Sequence, residues 1–104
     1  MVGRMSAEEV VRDAIAQRRS LFLVYGEGAT RVVQPHVLYR SAKGTVCLDA
    51  YQVAGSSSSG RLPGWREFDL ARTREVEVLE DAFEPAPGFD RAAAKYRQGV
   101  IASI

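Results

Sequence analysis

The stretch spanning residues 46–74 constrains the fold of this chain more than any other segment. It holds two strand-like segments, residues 45–53 and 65–70, joined by a long polar connection whose centre is rich in glycine and serine. That composition is typical of a flexible loop, and alternating apolar residues on both sides of a loop indicate antiparallel strands. The stretch contains no catalytic signature. The sequence therefore predicts a kind of domain more sharply than an activity.

A single helix is predicted before the strands. Ser6 and Glu9 have the spacing of a capping box, in which each side chain satisfies an early backbone amide. The apolar residues that follow recur at helical spacing and are Val10, Val11, Ala14 and Ile15. We expect a helix over about residues 6–19. A short amphipathic helix is marginal by itself, so this one must lie on a sheet.

Five consecutive short strands are predicted after the helix, over residues 21–25, 30–40, 45–53, 65–70 and 74–80. Pro35 cannot donate to a strand ladder, so it predicts a bulge, a bend or an edge position. Gly44 is placed to supply the positive φ of a hairpin turn. One helix followed by five short strands is the order of a small, strongly bent barrel. The expected architecture is one domain over residues 1–104, mainly β (α+β by count), with the barrel over about residues 21–80.

The segment 83–104 is predicted to be an extension of the barrel. The prolines of its first part exclude a helix there. Asp90 is placed to cap a short helix that Gly99 would end. The apolar residues 100–104 are unsuited to a solvated tail, so they should dock on their own domain or on a partner chain.

Composition excludes several classes of function. The 104 residues carry a net charge of +1, so any attraction for polyanions must come from a local patch. One cysteine and one histidine exclude an internal disulfide and a paired-histidine metal site, which predicts a cytoplasmic protein with no metal and no cofactor. The loop serines lack a neighbouring base, and a lone cysteine and a lone histidine on separate strands are a poor nucleophile pair. We expect neither an enzyme nor a membrane protein.

The order of these segments resembles the WYL domain. The resemblance extends over about residues 8–89 and is carried by residues 10–25, 31–38, 46–51 and 65–72, with Phe83-Glu84-Pro85-Ala86-Pro87-Gly88-Phe89 resembling the tail of a short, standalone branch. The chain departs from the family pattern at three places. Val46-Cys47-Leu48 replaces the Trp-Tyr-Leu triplet, Asp69 replaces a basic residue, and Thr73 replaces an aliphatic one.

The resemblance implies an Sm-like, SH3-type barrel that acts as a sensor or regulatory module. Such modules occur in bacterial transcriptional regulators and in CRISPR- or phage-defence-associated proteins. The family is implied to bind a negatively charged ligand, a nucleotide or single-stranded nucleic acid, through a basic pocket. Carried over residue by residue, that role falls on Arg31, His36, Arg66 and Arg72, with Tyr51 as a stacking neighbour. Because no helix-turn-helix precedes the barrel, a separate DNA-binding protein is an expected partner.

The residues themselves leave two interpretations of the arginines open. In an unbroken strand Arg66 and Arg72 would share a face with Phe68 and Leu70, which suits a ligand with phosphates and a flat base. Alternatively, these arginines pair with neighbouring carboxylates, namely Glu67, Asp69 and Glu75. His36 taken alone favours a hydrogen-bonded structural residue.

Two further hypotheses concern the serine loop and the apolar end. The amides of the loop could form an anion nest beside Arg61. The alternative function for the whole chain is a non-catalytic protein-interaction or oligomerisation module with an SH3-like barrel. It would form a homodimer through the C-terminal segment.

Overall fold

The structure is a computed structural model that describes residues 5–56 and 61–104. It shows one helix followed by a six-stranded antiparallel sheet. The elements are α1 (Ala7–Gln17), β1 (Arg19–Tyr25), β2 (Ala29–Arg40), β3 (Val46–Gly55), β4 (Gly64–Asp69), β5 (Thr73–Ala82) and β6 (Val100–Ser103), with 3-10 helices at Leu70–Arg72 and Ala94–Tyr96. The predicted fold class, mainly β after an N-terminal helix, is confirmed.

The ends of α1 follow from local sequence. Ser6 and Glu9 form the predicted capping box, with the Ser6 hydroxyl oxygen 3.1 Å from the Glu9 amide and the Glu9 carboxylate 2.8 Å from the Ser6 amide. Arg18 adopts the left-handed conformation at φ 51°, which ends the helix as a C-cap. The helix is therefore slightly shorter than predicted, because Arg19 already begins β1.

Strand β2 organises the sheet because it pairs with three other strands. The strand order is β4-β3-β2-β1-β5, and β6 also pairs with β2. β1 pairs with residues 29–33 of β2, whereas β6 pairs with residues 37–39. Pro35 lies between these two partners, at a register shift against β3. A residue without an amide hydrogen fits that position, so the predicted bulge is confirmed.

The predicted five-stranded barrel differs from the observed sheet in two respects. A sixth strand is present, and β4 and β5 end the strand order without pairing with each other in the described part of the chain. The expected helix after Asp90 is reduced to the 3-10 helix Ala94–Tyr96. The apolar end docks on its own domain, as one alternative predicted: β6 pairs with β2, and the Ile104 amide donates to the His36 carbonyl oxygen at 3.0 Å.

The sheet has two differently covered faces. We call the face that packs on α1 the inner face; its core includes Leu21, Leu23, Val33, Leu48 and Phe68 together with Val11, Ala14 and Ile15 of the helix. The opposite face of β2, β3 and β4 is the outer face, which is partly covered by residues 83–99. There a smaller cluster is formed by Val37, Tyr39, Cys47 and Tyr96.

Cys47 is buried in the smaller cluster of the outer face. Only 7% of its surface is exposed. Burial, assisted by neighbouring carboxylates, raises the pKa of its thiol. Within residues 5–56 and 61–104, no helix has the length and apolar character needed to cross a membrane.

Candidate functional site

Two of the predicted arginines converge on the ring of Tyr25. The guanidinium carbon of Arg31 lies 5.6 Å from the centre of that ring and 5.5 Å from the centre of the Phe68 ring. The guanidinium carbon of Arg72 lies 5.2 Å from the Tyr25 ring centre. All three distances are within the range of cation–π attraction. We call Arg31, Arg72 and Tyr25 the arginine–tyrosine cluster.

Arg72 is placed in the cluster by a turn, which strand periodicity did not predict. The strand predicted over residues 65–70 stops at Asp69, whose carboxylate accepts a hydrogen bond from the Ala71 amide at 2.9 Å and caps the 3-10 helix Leu70–Arg72. The Asp69 amide in turn donates to the Tyr25 hydroxyl at 3.0 Å. The Arg72 carbonyl oxygen accepts from the Gly26 amide at 2.9 Å. The turn therefore fixes Arg72 beside the end of β1.

Arg31 has an incomplete set of polar partners. Its Nη1 donates to the side-chain oxygen of Gln52 at 3.1 Å, and Gln52 is itself fully buried. The Gln52 amide nitrogen donates to the carbonyl oxygens of Ala54 and Ser56, which orients its oxygen toward Arg31. The Nε of Arg31 is buried and has no hydrogen-bond partner among the described residues. A buried donor without a hydrogen-bond partner destabilises the folded structure, so binding of an additional acceptor beside it would be favourable.

No carboxylate neutralises the cluster in the parts of the chain that the structure describes. The ion pairs there join Arg12 to Glu8, Arg18 to Glu84, and Lys95 to Asp49. Neither Arg31 nor Arg72 takes part in an ion pair with the residues described. For Arg72, the alternative in which a carboxylate of the same sheet neutralises the arginine is not observed.

Arg66 lies on the same face as the cluster but points along the start of β4. It is opposite Ala50 of β3, and its guanidinium donates to the carbonyl oxygens of Trp65 at 2.8 Å and Arg61 at 3.0 Å. It packs against Gly64, where an added Cβ would lie 2.8 Å from Nη1. Because Gly64 is paired with Gln52, Arg66 neighbours the residue that binds Arg31.

His36 and Tyr51 are not brought together with the arginines. His36 is fully buried; its Nδ1 lies 2.8 Å from the Gln34 carbonyl oxygen, and its Nε2 accepts from the Ala86 amide at 2.9 Å. Burial lowers the pKa of His36. Tyr51 lies on the outer face, with its ring centre 5.5 Å from that of Trp65. The five predicted site residues therefore do not form one cluster, and a ligand role for these two stays a prediction.

Sequence reasoning missed Tyr25 and Gln52 as members of the site. The alternation of Leu21 and Leu23 in β1 already places Tyr25 on the same face at the strand end. Gln52 continues the buried alternation of β3 as its one polar member. That break in an apolar pattern was the available signal. The predicted anion nest falls on residues 57–60, outside those that the structure describes.

The outer face carries a second polar constellation. Asp49 is 3% exposed and accepts hydrogen bonds from the hydroxyls of Tyr96 at 2.7 Å and Tyr39 at 3.3 Å. The Lys95 ammonium is 2.6 Å from the same carboxylate. The Tyr39 hydroxyl also contacts the carboxylate of Glu67. Three or more side chains suited to a metal ion do not gather in the described ranges.

Comparison with known proteins shows a shared fold. The structure is similar to that of proteasome accessory factor B/C (PafBC) of Arthrobacter aurescens, with a TM-score of 0.65 and 23% sequence identity over 83% of this chain and 13% of that one. PafBC contains a WYL domain, so the present chain has a WYL-like fold. The chain thus corresponds to a small part of that protein's length. No protein-family model matches the sequence, and neither does any curated protein.

Proposed function

We propose that this chain is a ligand-sensing or regulatory domain of the WYL type. Its ligand would be negatively charged, a nucleotide or single-stranded nucleic acid, and would bind at the arginine–tyrosine cluster. The observation that carries the proposal is the convergence of two guanidinium groups on Tyr25, with no carboxylate to neutralise either among the described residues.

The chemistry of the cluster suits such a ligand. A guanidinium presents a planar fork of donors that matches a phosphate, and its flat face can stack on a base. The Nε of Arg31 is buried and lacks a hydrogen-bond acceptor among the described residues, so a phosphate oxygen would satisfy it only after neighbouring side chains move aside. Arg66 adds a third positive charge nearby. With a net charge of +1 for the whole chain, the attraction would be local rather than a property of the entire surface.

The WYL-like fold supports a regulatory role. Under this proposal the domain acts without catalysis, in transcriptional regulation or phage defence, and transmits ligand binding to a separate DNA-binding protein. The site would consist of Arg31 and Arg72 with Arg66 beside them. His36 and Tyr51 would contribute only through the packing of the outer face.

Fluorescence anisotropy with a labelled single-stranded oligonucleotide tests the proposal. A ligand held through about two or three phosphates should lose roughly tenfold in affinity between 50 and 200 mM salt. The double variant Arg31→Gln plus Arg72→Gln should lose at least about tenfold at low salt, because hydrogen bonds to charged groups are removed. The matched control is Arg12→Gln plus Arg97→Gln, which removes the same charge from exposed positions elsewhere. Absence of binding at low salt, or an equal loss in the control, would contradict the proposal.

The open sheet supports a second candidate, a protein-interaction module. β4 and β5 end the strand order, and edge strands can pair with another chain. The C-terminal segment is less suited to a homodimer than the sequence suggested, because it is paired with β2 as β6 and Ile104 is buried. Sedimentation velocity over a hundredfold concentration range should then show self-association or binding of a strand-forming peptide. A monomer throughout, with no peptide bound, would refute this candidate.

A further inference from the structure

A cavity on the outer face is lined by three aromatic and five charged side chains. Its volume is about 260 Å³, and it lies between β4 and the segment that precedes β6. Trp65, Phe89 and Tyr96 line it. The rings of Trp65 and Phe89 are nearly parallel, with centres 6.2 Å apart and an interplanar angle of 22°. The indole nitrogen of Trp65 donates to the Pro87 carbonyl oxygen at 2.7 Å, which fixes the orientation of this wall.

The polar part of the cavity is dominated by carboxylates. Asp49, Glu67 and Asp90 line it. Two cations, Arg66 and Lys95, also line it. The Lys95 ammonium forms an ion pair with Asp49. Burial and the hydrogen bond to Asp49 raise the pKa of the Tyr96 hydroxyl, and the charges of Asp49, Asp90 and Glu67 raise it further. The lining therefore holds three carboxylates against two cations, an excess of one negative charge.

Lys95 shows how an alkylammonium group is accommodated here. Its ammonium lies 2.6 Å from the Asp49 carboxylate and 5.7 Å from the centre of the Tyr96 ring. A carboxylate and an aromatic face thus hold one positive charge of this chain together. Glu67 and Asp90 offer further carboxylates beside the rings of Trp65 and Phe89, without a lysine or arginine ion-paired to them in the described chain.

We propose that this cavity binds a small organic cation of the alkylammonium class. The ammonium would be held by Glu67 and Asp90, and the alkyl part would lie against the rings of Trp65 and Phe89, where cation–π attraction adds to the charge interaction. Pockets for larger ligands typically occupy about 300–1,000 Å³, so a cavity of 260 Å³ selects a small amine. The site has the opposite charge preference to the arginine–tyrosine cluster. It does not rest on the function proposed above, although Arg66 lines this cavity and also lies beside that cluster.

The test uses Trp65, the only tryptophan of the chain, as the reporter. n-Butylammonium chloride is titrated into the full chain at constant ionic strength while tryptophan fluorescence is recorded. n-Butanol, which has the same alkyl chain without the charge, is the control ligand. We expect a saturable change with the amine and none with the alcohol.

Charge-neutralising variants then locate the site. Glu67→Gln and Asp90→Asn should each weaken n-butylammonium binding by about tenfold, because each removes one charged acceptor. Glu77→Gln removes the same charge from an exposed position on β5 and should bind as the wild type does. Because Glu67 also contacts Tyr39, thermal melts of all variants establish that each is folded. The variant Asp90→Asn keeps the side-chain oxygen that accepts a hydrogen bond from the Ala92 amide. No saturable change in the wild type, an equal response to n-butanol, or unchanged binding in both cavity variants would overturn the proposal.

Discussion

Lowering the pH below about 6.5 should destabilise this protein through one side chain, His36. Its Nδ1 faces the Gln34 carbonyl oxygen, which requires a donor, and its Nε2 faces the Ala86 amide, which requires an acceptor. These partners fix the neutral ring with its hydrogen on Nδ1. A second proton would remove the acceptor from Ala86 and place a charge among the rings of Trp65 and Phe83.

The sign and the size of the effect follow from proton linkage. Burial is the largest cause that lowers the pKa of His36; the charge of Arg18 acts in the same direction, whereas the Gln34 carbonyl and Asp49 oppose it. A histidine in the unfolded chain has a pKa of about 6.5, so below that pH the unfolded chain binds more protons than the folded one. The stability is present above that value and is lost as the pH falls toward the folded pKa. One proton gives a slope of about 1.4 kcal/mol per pH unit, and up to about 1.4 kcal/mol in total between pH 7.5 and 5.5.

Urea denaturation at pH 7.5, 6.5 and 5.5 measures this loss. His36 is the only histidine of the chain, so no other histidine contributes to the change in this window. The variant His36→Gln has no titrating ring. It should be less stable at every pH, but its free energy of unfolding should be nearly constant between pH 7.5 and 5.5. The reasoning is refuted if the wild-type free energy is flat over this range or if the variant shows the same slope.

Three further predictions concern buried groups and backbone geometry. Asp49→Ala should lower the free energy of unfolding by about 2–3 kcal/mol in urea titrations, because Tyr96 and Lys95 lose their shared acceptor. A loss below about 0.5 kcal/mol, as for ordinary surface changes, would contradict this prediction. Gly55→Ala should be more destabilising than Gly28→Ala by at least about 1 kcal/mol in thermal melts. Both positions have positive φ, but of the two only Gly55 would bring a Cβ into overlap with the neighbouring strand, 2.7 Å from a backbone Cα. Equal melting temperatures for the two variants would show that this overlap does not matter. Cys47 should react with a thiol reagent far more slowly in the folded protein than in urea, because it is buried and its pKa is raised; equal rates would show that its strand opens readily.

Local sequence patterns correctly predicted the features that depend only on residues close together in the chain. The capping box of Ser6 and Glu9, the bulge at Pro35 and the positive φ of Gly44 all appear where the sequence placed them. Each depends on a few neighbouring residues, so no knowledge of distant contacts was needed. The alternation along β3 likewise agrees with the structure, in which Leu48 and Cys47 lie in different clusters.

The errors occur where distant residues decide the conformation. The alanine-rich segment after Asp90 favours a helix locally, yet only the 3-10 helix Ala94–Tyr96 forms. The Tyr96 hydroxyl is bonded to Asp49, 47 positions away in sequence, and packing on the outer face overrides the weak helical preference. Similarly, the Asp69 side chain caps the 3-10 helix Leu70–Arg72, so the unbroken strand that would put Arg66 and Arg72 on one face does not form.

The sequence by itself predicted the helix, the first five strands in their order and a WYL-like arrangement, but not the sixth strand. It also proposed Arg31, Arg66 and Arg72 as site residues. Only the tertiary structure decided which of them meet. Strand periodicity gives the face of a side chain but not its neighbours across the sheet, so the meeting of Arg31 and Arg72 at Tyr25 required the register of β1 and β2 together with the turn at Asp69. The acidic cavity of the outer face likewise exists only because the C-terminal segment folds back over β3 and β4 before it joins β2.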